Sequence, residues 1–204
     1  IKGKKKLKGK IEISGSKNAT LPILAASILS NYSEIKNIPL VNDIFTMIKL
    51  LNFLGLKCNL SKKNKTIRIF NKLTRSNKNI IAPYKLVKTM RAGVLVLGPI
   101  LNRCGKAKVS LPGGCAIGTR PVDLHLMALK KLGAKIKIKN GYIYATATKG
   151  LKGTNIKFPS ISVGATENAI LAAFGAEGKT VLSNCAIEPE IKDLISYLNK
   201  LGGK

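Results

Sequence analysis

Three times along this chain an apolar helical pattern ends in Leu-Gly, at Leu54-Gly55, Leu132-Gly133 and Leu201-Gly202. A glycine just past the last turn accepts the left-handed backbone that closes a helix. Each of the three passages reads strand, small-residue helix, strand, helix. Two of them run on into a β-hairpin, 56–60 with 66–70 and 134–138 with 142–146, whereas the third stops at Lys204, where its hairpin is due. A mixed repeat of about 70 residues predicts an α/β fold of stacked units sharing a core of helices, the last unit cut short. The units fall at about 14–75, 76–148 and 149–204 within one domain, 14–204. A basic strand-like segment, 1–13, precedes them, with Ile11 and Ile13 alternating with polar residues. The unfinished third unit, and a first residue that is Ile rather than Met, read as part of a longer polypeptide.

Between these landmarks the first unit offers a strand at 35–38 and a helix at 43–54. In the second, 83–97 reads as a helix carrying Lys85, Lys88 and Arg91, stopped by a turn at Gly98-Pro99 before a strand at 107–111. The third carries a strand near 155–158, a small-residue helix running to Phe174, a strand at 180–182 and a helix at 190–201.

The run with the strongest chemical signature is Leu111-Pro112-Gly113-Gly114-Cys115-Ala116-Ile117-Gly118-Thr119-Arg120-Pro121-Val122-Asp123-Leu124-His125. Glycines around Cys115 let the backbone fold closely over a ligand, which predicts a lid carrying a reactive thiol. Pro121 suits a first helical position, and Val122, Leu126, Leu129 and Leu132 mark one buried helical face. Backbone amides at that helix start, with Arg120 beside them, suit a phosphate or carboxylate. Positive charge also favours the thiolate, so Cys115 is a candidate nucleophile or proton donor. A second anion seat is offered by Ser14-Gly15-Ser16-Lys17-Asn18, which feeds an Ala-rich apolar helix. The same residues also suit a capped core helix with a solvated lysine.

Charge raises another class of function. The net charge is +27, from 36 Lys and Arg against nine Asp and Glu, a balance typical of nucleic-acid partners. Against that reading, the lysines are scattered, Arg is scarce, aromatic residues make up 5% and Trp is absent, which leaves few platforms for base stacking. Non-specific attraction to polyanions is what remains. The four cysteines, Cys58, Cys104, Cys115 and Cys185, are widely spaced and accompany a single histidine, which argues against a zinc site or a disulfide framework. No apolar run is long enough for a membrane span or signal core, so a cytoplasmic protein with no membrane partner is expected.

Taken in order and spacing, Ser14 to Ala19, Leu86 to Ala92, Leu111 to Leu124 and Ser162-Val163-Gly164-Ala165-Thr166 resemble the bacterial UDP-N-acetylglucosamine enolpyruvyl transferases. The likeness covers nearly the whole chain. Shikimate-pathway enolpyruvyl transferases share the fold but lack the cysteine loop. The resemblance implies an inside-out α/β barrel of three strand–helix units, the third truncated, and no metal or cofactor. It implies transfer of the enolpyruvyl group from phosphoenolpyruvate to the 3-hydroxyl of UDP-N-acetylglucosamine with release of phosphate, the first committed step of peptidoglycan synthesis. Lys17, Arg91 and Arg120 would meet the substrates' anionic groups, and Asn18 the reacting sugar. Cys115 would protonate the enol methylene, form a covalent adduct and be alkylated by fosfomycin. Arg120, Pro121, Val122, Asp123 and Leu124, with Ser160, Ile161, Ser162 and Val163, would cradle uridine and diphosphate. Some relatives carry lysine where this chain has Ser160. The resemblance also implies a missing second domain or partner chain that supplies the proton-accepting carboxylate. Two other readings remain open, a subunit that only binds UDP-N-acetylglucosamine and a basic nucleic-acid-binding protein.

Overall fold

A computed structural model describes Gly3, Lys6 and residues 8–77, 80–113 and 122–203. The three Leu-Gly sites end three helices in the same way. Helices α2 (Asn42–Phe53), α5 (Asp123–Lys131) and α7 (Pro189–Lys200) are followed by Gly55, Gly133 and Gly202, with φ of 102°, 94° and 97°. At each end the glycine N–H and the N–H after it donate back to helical carbonyls. The pairs are Gly55 to Asn52 and Leu56 to Leu51, Gly133 to Lys130 and Ala134 to Leu129, and Gly202 to Asn199 and Gly203 to Leu198. This is one cap used three times, and only glycine takes that φ without strain.

Inside these lie α1 (Lys17–Ala26), α4 (Leu97–Cys104) and α6 (Val163–Ala173). Their small side chains allow close approach, and Leu24, Ala25, Leu97, Ile100, Leu101, Ala165, Ala169 and Leu171 are fully buried. Side chains of α4 fasten the units together. Asn102 Nδ2 donates to the carbonyls of Leu171 and Ala172 at 2.8 and 2.9 Å. Arg103 donates to the carbonyls of Leu73 and Leu29 and to Asn31 Oδ1, so this guanidinium works as a brace between first and second units.

The strands lie outside the helices. In the first unit β1 (Tyr32–Ile35), β2 (Lys57–Ser61) and β3 (Thr66–Phe70) form an antiparallel sheet in the order β1-β3-β2. The second unit orders β4 (Ile81–Ala82), β5 (Lys106–Ser110), β6 (Lys135–Lys139) and β7 (Tyr142–Thr146) as β4-β5-β7-β6, and the third pairs β8 (Asn155–Lys157) with β9 (Val181–Ser183) in parallel. Inward-facing Ile67, Ile69, Ile143, Ala145 and Ile156 are buried on the helices.

This arrangement corrects the expected barrel. Among the described residues the three sheets are separate and open, and no sheet closes on itself. Each hairpin is zipped within its own unit. Contact between units falls to the helices and to side chains such as Tyr197, whose hydroxyl meets Ser33 Oγ at 2.6 Å.

Three local expectations also change. Residues 8–13 form no strand, and Ile11 and Ile13 stand 87% and 76% exposed, because alternation makes a strand only where an edge receives it. The strand expected at 35–38 lies at 32–35, where Tyr32 pairs with Phe70 and the chain turns away at Asn37, φ 57°. The helix expected at 83–97 is broken into α3 (Tyr84–Val87) and a 3-10 helix, Arg91–Val96, while α4 runs straight through Gly98-Pro99. Pro99 sits in the first turn of α4, where a missing N–H costs nothing. Gly98 is held by α6, and a Cβ there would lie 2.7 Å from Asn168 Oδ1.

The outer face of the second sheet carries Lys106, Lys108, Lys135, Lys137 and Lys139 among Tyr142 and Tyr144. The Lys108 ammonium covers both rings, at 4.7 and 5.1 Å from their centroids.

Candidate active site

Two helix starts are built alike. At α1 the Ser16 side chain accepts from Ala19 N–H at 3.2 Å and Thr20 Oγ1 donates to the Ser16 carbonyl at 2.7 Å. At α6 Ser162 accepts from Ala165 N–H at 3.3 Å and Thr166 Oγ1 donates to the Ser162 carbonyl at 2.8 Å. The shared pattern Ser-x-x-Ala-Thr explains both: an extended serine caps the helix, alanine permits close packing and threonine ties down the first turn. Thr166 Oγ1 also accepts from Ala186 N–H at 3.0 Å. Gly15 admits the chain to α1, since any side chain there would collide with the Asn37 carbonyl.

Both starts open onto one cleft of about 380 Å³. Lys17 and Asn18 line it from α1, Val163 and Gly164 from α6, Arg91 from the 3-10 helix, His125 from α5 and Glu190 from α7. Lys17 Nζ meets Asp43 Oδ2 at 3.0 Å, with both side chains well exposed, so the pair is weak and Lys17 remains available to an incoming anion. Cations and helix N-termini facing one hollow are suited to hold phosphate or carboxylate.

Two buried titratable side chains, His125 and Glu167, also line this cleft. His125 is 3% exposed, and burial with help from Arg91 pushes its imidazolium form down to about 4, Asp123 opposing. Glu167 is 6% exposed, and burial with the nearby charges of Glu190 and Glu188 pushes its carboxyl up to about 8 against the pull of Arg91. Burial disfavours the charged form of either group. The cleft therefore combines the cations Lys17 and Arg91 and the acidic side chains Asp43 and Glu190 with a neutral histidine and a protonated carboxyl.

The protein-family description for EPSP synthase (3-phosphoshikimate 1-carboxyvinyltransferase) matches residues 1–204. The chain belongs to this family. Within the EPSP synthase family it is similar to UDP-N-acetylglucosamine 1-carboxyvinyltransferases. It is 63% identical to that of Pelagibacter ubique (strain HTCC1062) over 201 residues, covering 98% of this chain and 47% of the relative. It is 52% identical to that of Rickettsia bellii (strain OSU 85-389) over 202 residues, covering 99% and 48%. The chain thus spans about half the length of the curated relatives it matches. Among solved structures, the fold is similar to the enolpyruvyl transferase NikO from Streptomyces tendae, at TM-score 0.80 and 19% identity, covering 98% of this chain and 46% of that one. It is also similar to EPSP synthase from Acinetobacter baumannii, at TM-score 0.70 and 17% identity, covering 90% and 42%.

Of the residues singled out in the sequence, this EPSP synthase family chain brings Lys17, Asn18, Arg91 and Val163 to the one cleft. Val122 and Asp123 line a different hollow beside Lys130 and Ile138. Leu124 packs half-buried against the core, Ser160 and Ile161 are exposed, and Ser162 serves as the α6 cap. Cys115, Arg120 and Pro121 lie outside the described residues. Burial pushes the thiols of Cys58 and Cys104 up to about 12 and about 11, so both stay protonated and unreactive at neutral pH.

Sequence reasoning passed over His125, Glu167, Asn168 and Glu190. One signal was available: Thr166-Glu167-Asn168 is an unbroken polar run inside the otherwise apolar α6, and such a run is buried only with partners or for a purpose. In the sequence Glu190 figures only as the first residue of the helix expected at 190–201. It occupies the first turn of α7 and also faces the cleft.

Proposed function

We propose that this chain is the cysteine-loop half, residues 14–204, of an enolpyruvyl transferase acting on phosphoenolpyruvate and UDP-N-acetylglucosamine. The observation that carries the reading is the convergence of Lys17, Asn18 and Arg91 with two helix N-termini on one cleft. It is supported by the 63% identity to a UDP-N-acetylglucosamine 1-carboxyvinyltransferase. Both substrates are polyanions, and preorganised cations and amides stabilise such groups without reorganising during reaction. Lys17 and Arg91 take phosphate or carboxylate oxygens, and Asn18 lies beside the reacting sugar. Pro121 to Leu124 and Ser160 to Val163 hold the nucleotide sugar together with Arg120.

In the reaction, the 3-hydroxyl oxygen adds to C2 of phosphoenolpyruvate and gives its proton to a carboxylate from the remainder of the protein. C3 takes a proton from Cys115. Loss of phosphate from C2 and of a proton from C3 then restores the double bond. A positioned acid of this kind typically contributes about 10²- to 10⁴-fold.

Mass spectrometry of the intact chain treated with fosfomycin tests the reading. One adduct on Cys115, formed faster with UDP-N-acetylglucosamine and lost in Cys115→Ser, is expected. Equal labelling of Cys58 or Cys185, or a rate indifferent to the nucleotide sugar, would count against it.

A further inference from the structure

Asn168 is fully buried where three elements meet. Its Oδ1 accepts from Gly98 N–H at 3.0 Å, and its Nδ2 reaches the Val94 carbonyl at 3.3 Å and His125 Nδ1 at 3.2 Å. The side chain is thus wedged between Val94 and Gly98, spaced as the carbonyl and N–H of one helical turn. Rotating the amide by half a turn would face its NH₂ to the Gly98 N–H and its oxygen to the Val94 carbonyl, two repulsive pairs in place of two bonds. The orientation is therefore fixed, and both amide hydrogens point outward to acceptors. His125 Nδ1 has to accept, so its proton sits on Nε2.

That second nitrogen has no hydrogen-bond partner among the described residues. The ring edge carrying it lies against Gly164, where a Cβ would stand 3.2 Å from Cε1 and 3.4 Å from Nε2. A side chain at position 164 would wall off the edge, whereas glycine leaves it beside the cleft that both residues line. The charged and titratable groups that act on the ring or line the cleft with it are Asp123 on its own helix, Arg91 on the 3-10 helix, Glu167 on α6, Glu190 on α7, Lys17 on α1 and Asp43 on α2.

We propose that Asn168 is a positioning residue that locks His125 in the Nε2–H form, so that the imidazole serves the cleft as a fixed hydrogen-bond donor to a substrate oxygen. This rests on the reading of the cleft given above. It assigns His125 recognition of a phosphate or carboxylate oxygen, and excludes it from carrying the reaction's proton. A neutral donor also adds no charge to a cleft lined by Lys17, Arg91, Asp43 and Glu190. Burial that holds the imidazolium form down to about 4 agrees with this role.

The chain contains one histidine, so the ring nitrogens of protein labelled with ¹⁵N-histidine are unambiguous by NMR. The ligand-free protein is expected to show a protonated Nε2 and a bare Nδ1, unchanged between about pH 5 and 8. A proton on Nδ1, or titration near the ordinary histidine value, would overturn the assignment without any variant being needed. Asn168→Asp replaces the donor with an acceptor, and is expected to protonate Nδ1 and move the ring's titration upward towards neutrality. No change in that folded variant would deny Asn168 its role.

Adding phosphoenolpyruvate with UDP-N-acetylglucosamine is expected to shift the Nε2–H resonance. A resonance that stays still while calorimetry reports saturation would remove the donor role. Absence of any binding would contradict the transferase reading instead, and the ligand-free spectrum would still decide the tautomer.

Discussion

The starts of α1 and α6 are copies of one cap, yet they present different chemistry. Ser16 and Ser162, Ala19 and Ala165, Thr20 and Thr166 make the same bonds to within 0.1 Å, at 3.2 against 3.3 Å and 2.7 against 2.8 Å. Between cap and threonine, α1 carries Lys17-Asn18 and α6 carries Val163-Gly164. A repeat thus provides the frame, and the two residues free of structural duty set the function at each copy. At α1 they supply a cation and an amide. At α6 they supply an apolar edge and the space that exposes His125, and the polar residues are displaced one turn inward to Glu167 and Asn168.

The largest expected break in this symmetry lies in the inward turn of α6. Folded Glu167 keeps its proton up to about 8, whereas an unfolded glutamate releases it near 4.5. Its contribution is complete below 4.5 and lost as pH rises through about 8. His125 has the opposite sign: its ordinary value of 6.5 falls to about 4, so its contribution is complete above 6.5 and lost as pH falls through about 4. Between 4.5 and 6.5 the two slopes oppose, and above 6.5 Glu167 acts alone. Urea unfolding should therefore show stability falling by about 2 kcal/mol between pH 6.5 and 8, and Glu167→Gln should flatten that limb. An unchanged slope in the variant would mean that the carboxyl is ionised in the fold. The α1 copy holds no buried acid and predicts no such term.

A smaller effect sharpens the likeness instead of breaking it. Ser16→Ala and Ser162→Ala each leave one helix-start N–H without its acceptor, and each should cost about 1 kcal/mol in the same unfolding assay. Unequal losses would show that the matching geometry hides unequal caps.

Much of this organisation was legible in the sequence. Leu-Gly marked all three helix ends because a left-handed closing residue admits little else, and the hairpins of the first two units followed from alternation. Lys17 and Asn18 stood out beside a helix start and Arg91 through the family resemblance, and the fold brings all three to one cleft. Closure of the sheets was not readable, since strand pattern reports which face is buried and not which edge meets which. Gly98-Pro99 misled for a related reason: the pair stops a helix unless a distant side chain makes room, and Asn168 comes from 70 residues away. The same distance hid His125, whose tautomer depends on a partner 43 residues further along the chain.

Calorimetric titration of phosphoenolpyruvate into the chain saturated with UDP-N-acetylglucosamine, wild type beside Lys17→Met, tests most directly whether the cleft is an anion site. Loss of a charged hydrogen-bonding partner should weaken binding by about 10- to 100-fold. Equal affinity in the two proteins would show that the α1 start is a structural cap like its copy, and that the substrate anions are held elsewhere.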